Sequence, residues 1–183
     1  MAFHLTGIYI VALAKGRVLE LGAGTGLNLP YYYPHISVVL TEPDSTMLSK
    51  ARSRLRRVWA YRQESPAVVQ ADAQHLPFRD GSFDAVVGTL VFCTVPDPLA
   101  GLKETYRVLQ PGGSLLLLEH VRAPWRLISF LQDAITPLWR RLAGECHPNR
   151  DTLSVVEAAG FHSLRVRRLL GGLLLEITAK RMT

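Results

Sequence analysis

The 183-residue sequence predicts an α/β fold built on a mostly parallel, doubly wound sheet. Short runs rich in valine and leucine alternate with helix-like stretches. This alternation is typical of parallel strands covered by helices on both faces. The C-terminal part breaks the pattern, because Gly171 and Gly172 separate two strand-like runs and so indicate an antiparallel hairpin. The length suits a single domain over residues 1–183.

Seven strand-like segments follow one another along the chain. They are residues 17–23, 37–42, 67–72, 83–90 and 114–120, then HSLRVRRLL at 162–170 and LLLEITAK at 173–180. Together they predict a Rossmann-like, seven-stranded sheet with an antiparallel C-terminal hairpin. In such sheets a ligand binds beyond the carboxyl ends of the strands, near the point where the strand order reverses.

Helix signals lie between the strands. Asp44 or Ser45 can cap a helix over residues 46–62, and a second helix over 98–109 is expected to stop at a Gln-Pro-Gly-Gly turn. Residues 122–150 interrupt the alternation and predict a helical insertion on the substrate side, kinked or split at Pro137. Its wide apolar face, flanked by arginines, either packs over the sheet or stays partly exposed to gather apolar substrates or contact a membrane surface.

The composition limits the classes of binding partner that are expected. The formal net charge is +6, which reflects either genome composition or attraction to anionic partners such as phospholipid head groups. No RNA-binding aromatic motif or helix-turn-helix signature occurs, so no nucleic-acid partner is expected. Residues 7–14 are too short to span a membrane and lack the flanks of a signal peptide. The location predicted is cytoplasmic, with peripheral membrane contact left open.

The two cysteines, Cys93 and Cys146, are too few for a disulfide-rich protein and lack the spacing of metal ligands. Their rarity agrees with a reducing compartment. Cys146 and His147 are adjacent but have no further ligands nearby in the sequence, so no metal site is predicted. His147 is a candidate for a cap over the substrate pocket.

Three glycines, Gly22, Gly24 and Gly26, alternate directly after the first strand. Glycine lets a backbone turn sharply and approach a ligand closely. The dinucleotide fingerprint G-x-G-x-x-G would place its third glycine at position 27, which is Leu27 here. On the glycines alone, a nicotinamide dinucleotide and S-adenosylmethionine both remain possible.

Two acidic residues extend the pattern. Glu42 ends the second strand, where a carboxylate can accept hydrogen bonds from both ribose hydroxyls, a device that both cofactor types use. Asp72 ends the third strand, where it can accept from an adenine amino group while the Ala73 amide donates to the ring. This placement suits one adenosine lying across the first three strands, without a second nucleotide.

Four segments carry a family resemblance: ELGAGTG (20–26), TLVFCTVPDP (89–98), RVLQPGG (107–113) and LEHVRAP (118–124). On these segments the chain resembles the class I S-adenosylmethionine-dependent methyltransferases of the ubiquinone/menaquinone-biosynthesis-like group. Within them it is most similar to the methyltransferase-like proteins that methylate alkyl thiols. The resemblance implies S-adenosylmethionine as cofactor and S-adenosylhomocysteine as product. The cofactor-binding residues it implies are Glu20, Gly22, Ala23, Gly24, Gly26, Glu42, Pro43, Met47, Asp72, Ala73 and Thr89. Met47 is a candidate either for an adenine contact or for core packing.

The acceptor is expected to be a small or lipophilic molecule, with a thiol among the candidates. A thiol needs only modest help to ionise, so no obligatory catalytic triad is expected. His120, Glu119 and Cys93 follow the fourth and fifth strands and are weak catalytic candidates. Cys93 suits a buried apolar role as well, and His120 a structural one.

Three alternatives stay open: a cofactor-binding protein without catalysis, a phospholipid or quinone-precursor methyltransferase at a membrane surface, and a nicotinamide-dependent oxidoreductase. The acceptor atom and the oligomeric state are not predicted. Relatives usually carry a longer helical segment before the first strand than the 16 residues found here. The chain is therefore either naturally minimal or without a covering segment.

Overall fold

The computed structural model describes residues 9–59 and 65–182. Its strands are β1 (Arg17–Leu21), β2 (Ser37–Thr41), β3 (Ala67–Val69), β4 (Phe83–Thr89), β5 (Leu109–His120), β6 (His162–Leu169) and β7 (Leu174–Lys180). Its α-helices after β1 are α1 (Ser45–Val58), α2 (Pro98–Val108), α3 (Arg126–Leu142) and α4 (Thr152–Ala158). Residues 9–12 are also helical. The predicted N-terminal features at 1–8 and the expected end of α1 near residue 62 lie outside the described residues.

The described strands form one seven-stranded sheet in the order β3-β2-β1-β4-β5-β7-β6. All neighbours pair in parallel except β7, which runs antiparallel to both β5 and β6. The mixed Rossmann-like sheet and its antiparallel hairpin are thereby confirmed. The chain order reverses between β1 and β4, where Val18 faces Val38 on one side and Ala85 on the other. The loops after β1 and β4 therefore border the crevice where such sheets bind ligands.

Alternating side chains of the central strands fill a core on each face of the sheet. Leu19 and Leu21 of β1 belong to one apolar cluster with Phe92 and Leu102, whereas Val18 belongs to the other. Because both faces are covered, β1 and β4 consist almost wholly of buried residues. Successive side chains point to opposite faces, so burial of both faces gives these strands continuous apolar runs and not an alternating pattern.

The strand bounds differ most from the prediction at β3 and β5. β3 stops at Val69, and Asp72 lies beyond it in an isolated bridge with His75. β5 begins at Leu109, because the Gln-Pro-Gly-Gly segment does not form the expected turn. It stays in the strand as a bulge opposite Phe83–Ala85, where Gly112 donates to the Arg181 carbonyl.

Helix α3 is continuous through Pro137, so of the predicted kink or split, the split is wrong. Proline removes only one backbone donor from a helix, and the rest of α3 is anchored independently. The Gln132 side chain donates to the Val121 and Pro148 carbonyls and accepts from the Ala123 amide. Asp133 pairs with Arg122 at 2.7 Å. These bonds fix the inward side of the helix.

The apolar side chains of α3 point largely outward. Ser129 and Thr136 are its buried residues, whereas its large apolar side chains are between 38% and 78% exposed. They are Leu127, Ile128, Phe130, Leu131, Ile135, Leu138, Trp139 and Leu142, joined by Trp125 just before the helix. Of the two predicted alternatives, the partly exposed face is therefore the one the described structure contains. No helix in the described ranges has both the length and the apolar character needed to span a membrane.

Candidate functional site

The glycine loop after β1 serves two purposes. Gly22, Gly24 and Gly26 all have positive φ angles, between 54° and 75°, a region that glycine adopts at little cost. A Cβ at Gly22 would lie 2.9 Å from the Val91 side chain, and one at Gly26 would lie 2.8 Å from Leu29. No described atom lies within 4 Å of a Cβ at Gly24. Gly22 and Gly26 thus permit close packing, while Gly24 faces open space.

That open space belongs to two adjoining cavities that share Gly22, Gly24 and Leu90. The larger, of about 600 Å³, is also lined by Glu42, Pro43, Met47, Asp72 and Ala73 among others. The smaller, of about 310 Å³, is also lined by Ala23, Asn28 and Thr89. Most of the predicted cofactor residues are therefore brought to one cleft.

Glu42 lies at the floor of the larger cavity with its carboxylate fixed. Oε2 accepts the Gly24 amide at 2.9 Å, and Oε1 accepts the Asp44 amide at 3.0 Å. A carboxylate has about four acceptor positions, so two backbone donors leave capacity for hydroxyls of a ligand. This arrangement fits the predicted contact with both ribose hydroxyls.

The adenine side of the predicted site is more open. Asp72 is exposed and accepts from the backbone and side-chain nitrogens of Gln74. Met47 is 45% exposed and lines the same cavity as Asp72 and Ala73, so it does not take the core-packing role. Asp44 caps helix α1 by accepting the Met47 amide at 2.7 Å, which places the Met47 side chain at the edge of the cleft.

Glu20 and Gly26 lie behind the cavity lining and not in it. Glu20 is buried, and its Oε1 accepts a hydrogen bond of 2.9 Å from the Asn28 side chain. The same Asn28 nitrogen donates to Thr89 Oγ1 at 3.0 Å. Asn28 lines the smaller cavity and was missed by sequence reasoning. The sequence feature that could have indicated Asn28 is its position as a lone polar residue in the apolar stretch after the glycines.

Burial raises the pKa of Glu20 to about 7, although hydrogen bonds from Tyr32 and Asn28 act in the opposite direction. The pKa of the buried Tyr32 lies well above its ordinary value, because burial and the neighbouring Glu20 both oppose ionisation. Glu20 therefore holds its proton over a wider pH range than an exposed glutamate does.

Glu119 has a different environment from the one expected of a catalytic acid. It is fully buried, and its carboxylate accepts the amides of Val91, Phe92 and Cys93 at 2.9–3.1 Å. Burial raises its pKa to about 7. Because its oxygens are directed at the loop after β4, the geometry favours a structural role that holds this loop.

Cys93, His120 and Cys146 converge although they are far apart in the sequence. Nδ1 of His120 lies 3.4 Å from Cys146 Sγ and 4.0 Å from Cys93 Sγ. The three potential ligand atoms lie within 4.8 Å of one another. Sequence spacing indicates no further ligands near Cys146, whereas the fold brings His120 of β5 and Cys93 of the loop after β4 beside it. His147 lies outside this cluster, and its amide donates to the Cys93 carbonyl at 2.7 Å.

The two thiols are not equivalent. Hydrogen bonding from the Cys93 thiol, together with His120 and Trp139, lowers the pKa of Cys146. The pKa of Cys93 is raised, first by its bond to Cys146 and then by burial. Arg150 lies close by and donates to the Phe92 and Val95 carbonyls. The cluster therefore favours a thiolate at Cys146.

A third cavity, of about 380 Å³, adjoins this cluster and is almost entirely apolar. His120 and Trp139 line it together with Ile128, Leu131, Ile135, Leu170 and Leu174, among others. It lies between helix α3 and the hairpin turn, on the side predicted to receive the substrate. The arrangement can hold an apolar chain next to His120.

Comparison with known proteins agrees with this geometry. The model of the "Methyltransferase domain" family matches residues 19–117. Human thiol S-methyltransferase TMT1B is 35% identical over 161 residues, which cover 86% of this chain and 64% of that protein. The ubiquinone/menaquinone biosynthesis C-methyltransferase UbiE of Haemophilus ducreyi is 34% identical over 180 residues, covering 86% of this chain and 68% of that protein. The chain thus spans about two thirds or less of these relatives.

Among solved structures, a SAM-dependent methyltransferase from Thermotoga maritima, described as a possible histamine N-methyltransferase, superposes with a TM-score of 0.74. The identity is 22%, and the match covers 97% of this chain and 89% of that one. This similarity supports the fold alone. S-adenosylmethionine is the cofactor that the family and fold imply, and the open space at Gly24 and the fixed Glu42 carboxylate fit it. Because the family model covers more than half of the sequence, the chain belongs to the class I S-adenosylmethionine-dependent methyltransferase family.

Proposed function

We propose that this protein transfers a methyl group from S-adenosylmethionine to the sulfur of a small apolar thiol. The observation that carries the proposal is the apolar cavity of about 380 Å³ bordered by His120 and Trp139. The sequence similarity to a relative described as a thiol S-methyltransferase supports the same acceptor. An apolar cavity with little polar lining suits an alkyl thiol better than a charged amine.

The residues on either side of the reaction have distinct tasks. The cofactor supplies an electrophilic methyl group bound to a sulfonium sulfur. Glu42 and the loop at Gly24 would hold its ribose and methionine parts, while Asp72 and Met47 border the adenine side. The apolar cavity would position the acceptor, so that proximity provides much of the rate acceleration. His120 is half-buried at the cavity wall, so its imidazole borders the space proposed for the acceptor sulfur.

An acceptor panel tests this assignment. Alkyl thiols, alcohols, amines, phenols and a quinone precursor are incubated with the protein and methyl-labelled S-adenosylmethionine. We expect label in the alkyl thioether, with turnover improving as the chain lengthens. Transfer to the quinone precursor or to a phospholipid, with none to thiols, would overturn the thiol assignment. Binding of S-adenosylhomocysteine without transfer to any acceptor would instead support a non-catalytic protein.

Two matched variants locate the acceptor. Ile135 and Leu142 both lie on α3 and are both more than half exposed, but of the two Ile135 alone lines the apolar cavity. Ile135→Asp is expected to raise the KM for a long-chain thiol about tenfold or more, since it places a charge in an apolar pocket. Leu142→Asp is expected to leave KM unchanged. Equal effects would show that the acceptor binds elsewhere.

We also propose that α3 brings the protein to an anionic lipid surface on the cytoplasmic side of a membrane. The exposed apolar face of α3 is accompanied by Arg126 and Arg141, and the chain carries a net charge of +6. Apolar burial together with attraction to anionic lipids gives interfacial binding. Co-sedimentation with vesicles tests this. The wild type is expected to bind phosphatidylserine vesicles and to bind phosphatidylcholine vesicles only weakly. Leu127→Ser is expected to reduce the binding to phosphatidylserine vesicles. No binding to either would contradict it.

A further inference from the structure

We propose that Cys93, His120 and Cys146 form a zinc site with three protein ligands, whose fourth position takes the sulfur of the acceptor thiol. The second half of this inference rests on the proposed thiol acceptor, whereas the metal site itself does not. None of the three residues lines either cofactor cavity, and no sequence motif predicts the cluster.

The distances suit a tetrahedral zinc ion. Zinc binds thiolate at about 2.3 Å and imidazole at about 2.0–2.1 Å, which places tetrahedral ligand atoms about 3.6–3.8 Å apart. Here Nδ1 of His120 lies 3.4 Å from one sulfur and 4.0 Å from the other. Small side-chain rotations would bring all three atoms to bonding distance. Two thiolates and one imidazole are soft and borderline ligands of the kind zinc prefers, and the thiolate charges balance the ion.

The backbone around the cluster holds the ligands in place. The Cys93 amide donates to Glu119 at 3.1 Å, and the Cys93 carbonyl accepts the His147 amide at 2.7 Å. The second bond joins the loop of Cys93 directly to the loop of Cys146. His120 is fixed at the end of β5 by its pairing with Leu174 of β7. The three ligands therefore come from separate elements that the fold itself joins.

One residue of the cluster lines the apolar cavity, and residues close in sequence to the other two line the larger cofactor cavity. His120 lines the apolar cavity, as does Trp139, which contacts the Cys146 thiol. Thr94, next to Cys93, lines the larger cofactor cavity, and so does Gly144. Three protein ligands with one open position are typical of catalytic zinc, while structural sites have four. An open position here is reachable by an acceptor that occupies the apolar cavity.

The chemistry balances without a change of oxidation state. An acceptor thiol that binds the zinc releases its proton to solvent, since metal coordination strongly favours the thiolate. A lone pair of its sulfur then forms a bond to the methyl carbon, and the bond from that carbon to the sulfonium sulfur breaks. The products are a neutral thioether and S-adenosylhomocysteine. A thioether is a weaker zinc ligand than a thiolate, so the product leaves and the zinc site is restored.

Metal content of the full chain tests the site. The protein is purified under reducing conditions, loaded with Zn²⁺ and gel-filtered, and a parallel sample is loaded with Co²⁺ as a spectroscopic probe. We expect one metal per chain and a cobalt spectrum with sulfur-to-metal charge transfer and tetrahedral ligand-field bands. Loss of a residue that only orients a metal ligand already costs about 10- to 100-fold in metal affinity, so Cys93→Ser and Cys146→Ser are expected to lose more than about 100-fold.

His147→Gln is the matched control, because it changes a neighbouring histidine that is not part of the cluster; its metal content is expected to stay at one. Circular dichroism checks that each variant folds. If a serine variant does not fold, the wild type still decides: its cobalt form should show the sulfur-to-metal charge-transfer band, and a chelator should abolish that band. A metal content no higher than in the serine variants, or a Cys93–Cys146 disulfide in zinc-treated protein, would overturn the site.

Adding an alkyl thiol to the cobalt protein tests coordination of the acceptor separately from the existence of the metal site. A shift in the charge-transfer band with the thiol, but none with the matching alcohol, supports coordination of the acceptor; no shift overturns it. Full thiol methylation by metal-free protein would overturn coordination of the acceptor by zinc and leave the proposed function intact. A stoichiometric metal site in a protein that methylates no thiol would overturn the proposed function, and with it the coordination of the acceptor, but not the metal site.

Discussion

The backbone amide of Gly24 donates a 2.9 Å hydrogen bond to the carboxylate of Glu42. This bond ties the glycine loop after β1 to the end of β2, across the cleft in which an adenosine is expected. The other carboxylate oxygen accepts the Asp44 amide at 3.0 Å. Glu42 is thus held by two backbone donors, so its remaining acceptor positions have a fixed direction before any ligand arrives.

The first prediction concerns this carboxylate. Glu42→Ala is expected to weaken binding of S-adenosylhomocysteine by about 1.5–3 kcal/mol, since charge-assisted hydrogen bonds to the ribose are lost. Calorimetric titration measures the change. Asp80→Asn, which alters an acid outside the two cofactor cavities, should bind as the wild type does. Unchanged affinity in a folded Glu42→Ala protein would show that the ribose is held elsewhere.

The second prediction separates two glycines of the same loop. Gly24→Val should abolish cofactor binding, because the side chain would enter the space that the cleft leaves open there. Its cost to folding is the positive φ alone, about 1–2 kcal/mol. Gly22→Ala carries the same φ penalty, and its Cβ would also lie 2.9 Å from the Val91 side chain. This variant should therefore unfold at a lower denaturant concentration. Normal binding by Gly24→Val would remove the loop from the site.

Most of the fold could be predicted, because buried parallel strands leave continuous apolar runs and glycines mark the hairpin. The ends of strands were less predictable. At β3 the apolar run stops at Val69, and the polar residues after it form a loop that includes Asp72. At β5 a Pro-Gly-Gly segment that favours a turn is held in the sheet by pairing with Arg181. Tertiary contacts there override local preference.

The candidate site could likewise be predicted only in part. Gly24, Glu42 and Asp72 follow strands, so their convergence follows from the parallel topology. The cluster of Cys93, His120 and Cys146 could not be predicted, because its members lie 26 and 27 residues apart in sequence and no short motif joins them. Their proximity depends on how the loop after α3 packs against the end of β5, which periodicity does not reveal.

The third prediction concerns pH and Glu20. Its pKa rises from 4.5 to about 7 on folding, so between these values the folded protein keeps a proton that the unfolded chain has lost. The contribution to stability is complete below about pH 4.5 and is lost as pH rises to about 7, amounting to at most about 3 kcal/mol.

Glu20→Gln, which keeps an oxygen for Asn28, should reduce the fall in unfolding free energy between pH 4.5 and 7. Urea titrations of both proteins at several pH values measure the difference. Asp80→Asn, which changes an exposed acid, should retain the slope of the wild type. Identical slopes in the wild type and Glu20→Gln would show that Glu20 titrates normally in the folded protein.

The last prediction concerns the attachment of helix α3. Gln132 makes three hydrogen bonds to the backbone on either side of the helix: to Val121, Ala123 and Pro148. Gln132→Ala leaves those groups without their side-chain partner and should cost about 1–3 kcal/mol. Because the apolar face of α3 is exposed, little else replaces them. Hydrogen exchange of the α3 amides should accelerate, while β1 and β4 amides keep their protection. Leu142→Ala, at a position 78% exposed, should change neither. Unaltered exchange in Gln132→Ala would mean that the Arg122–Asp133 ion pair alone is sufficient to hold the helix.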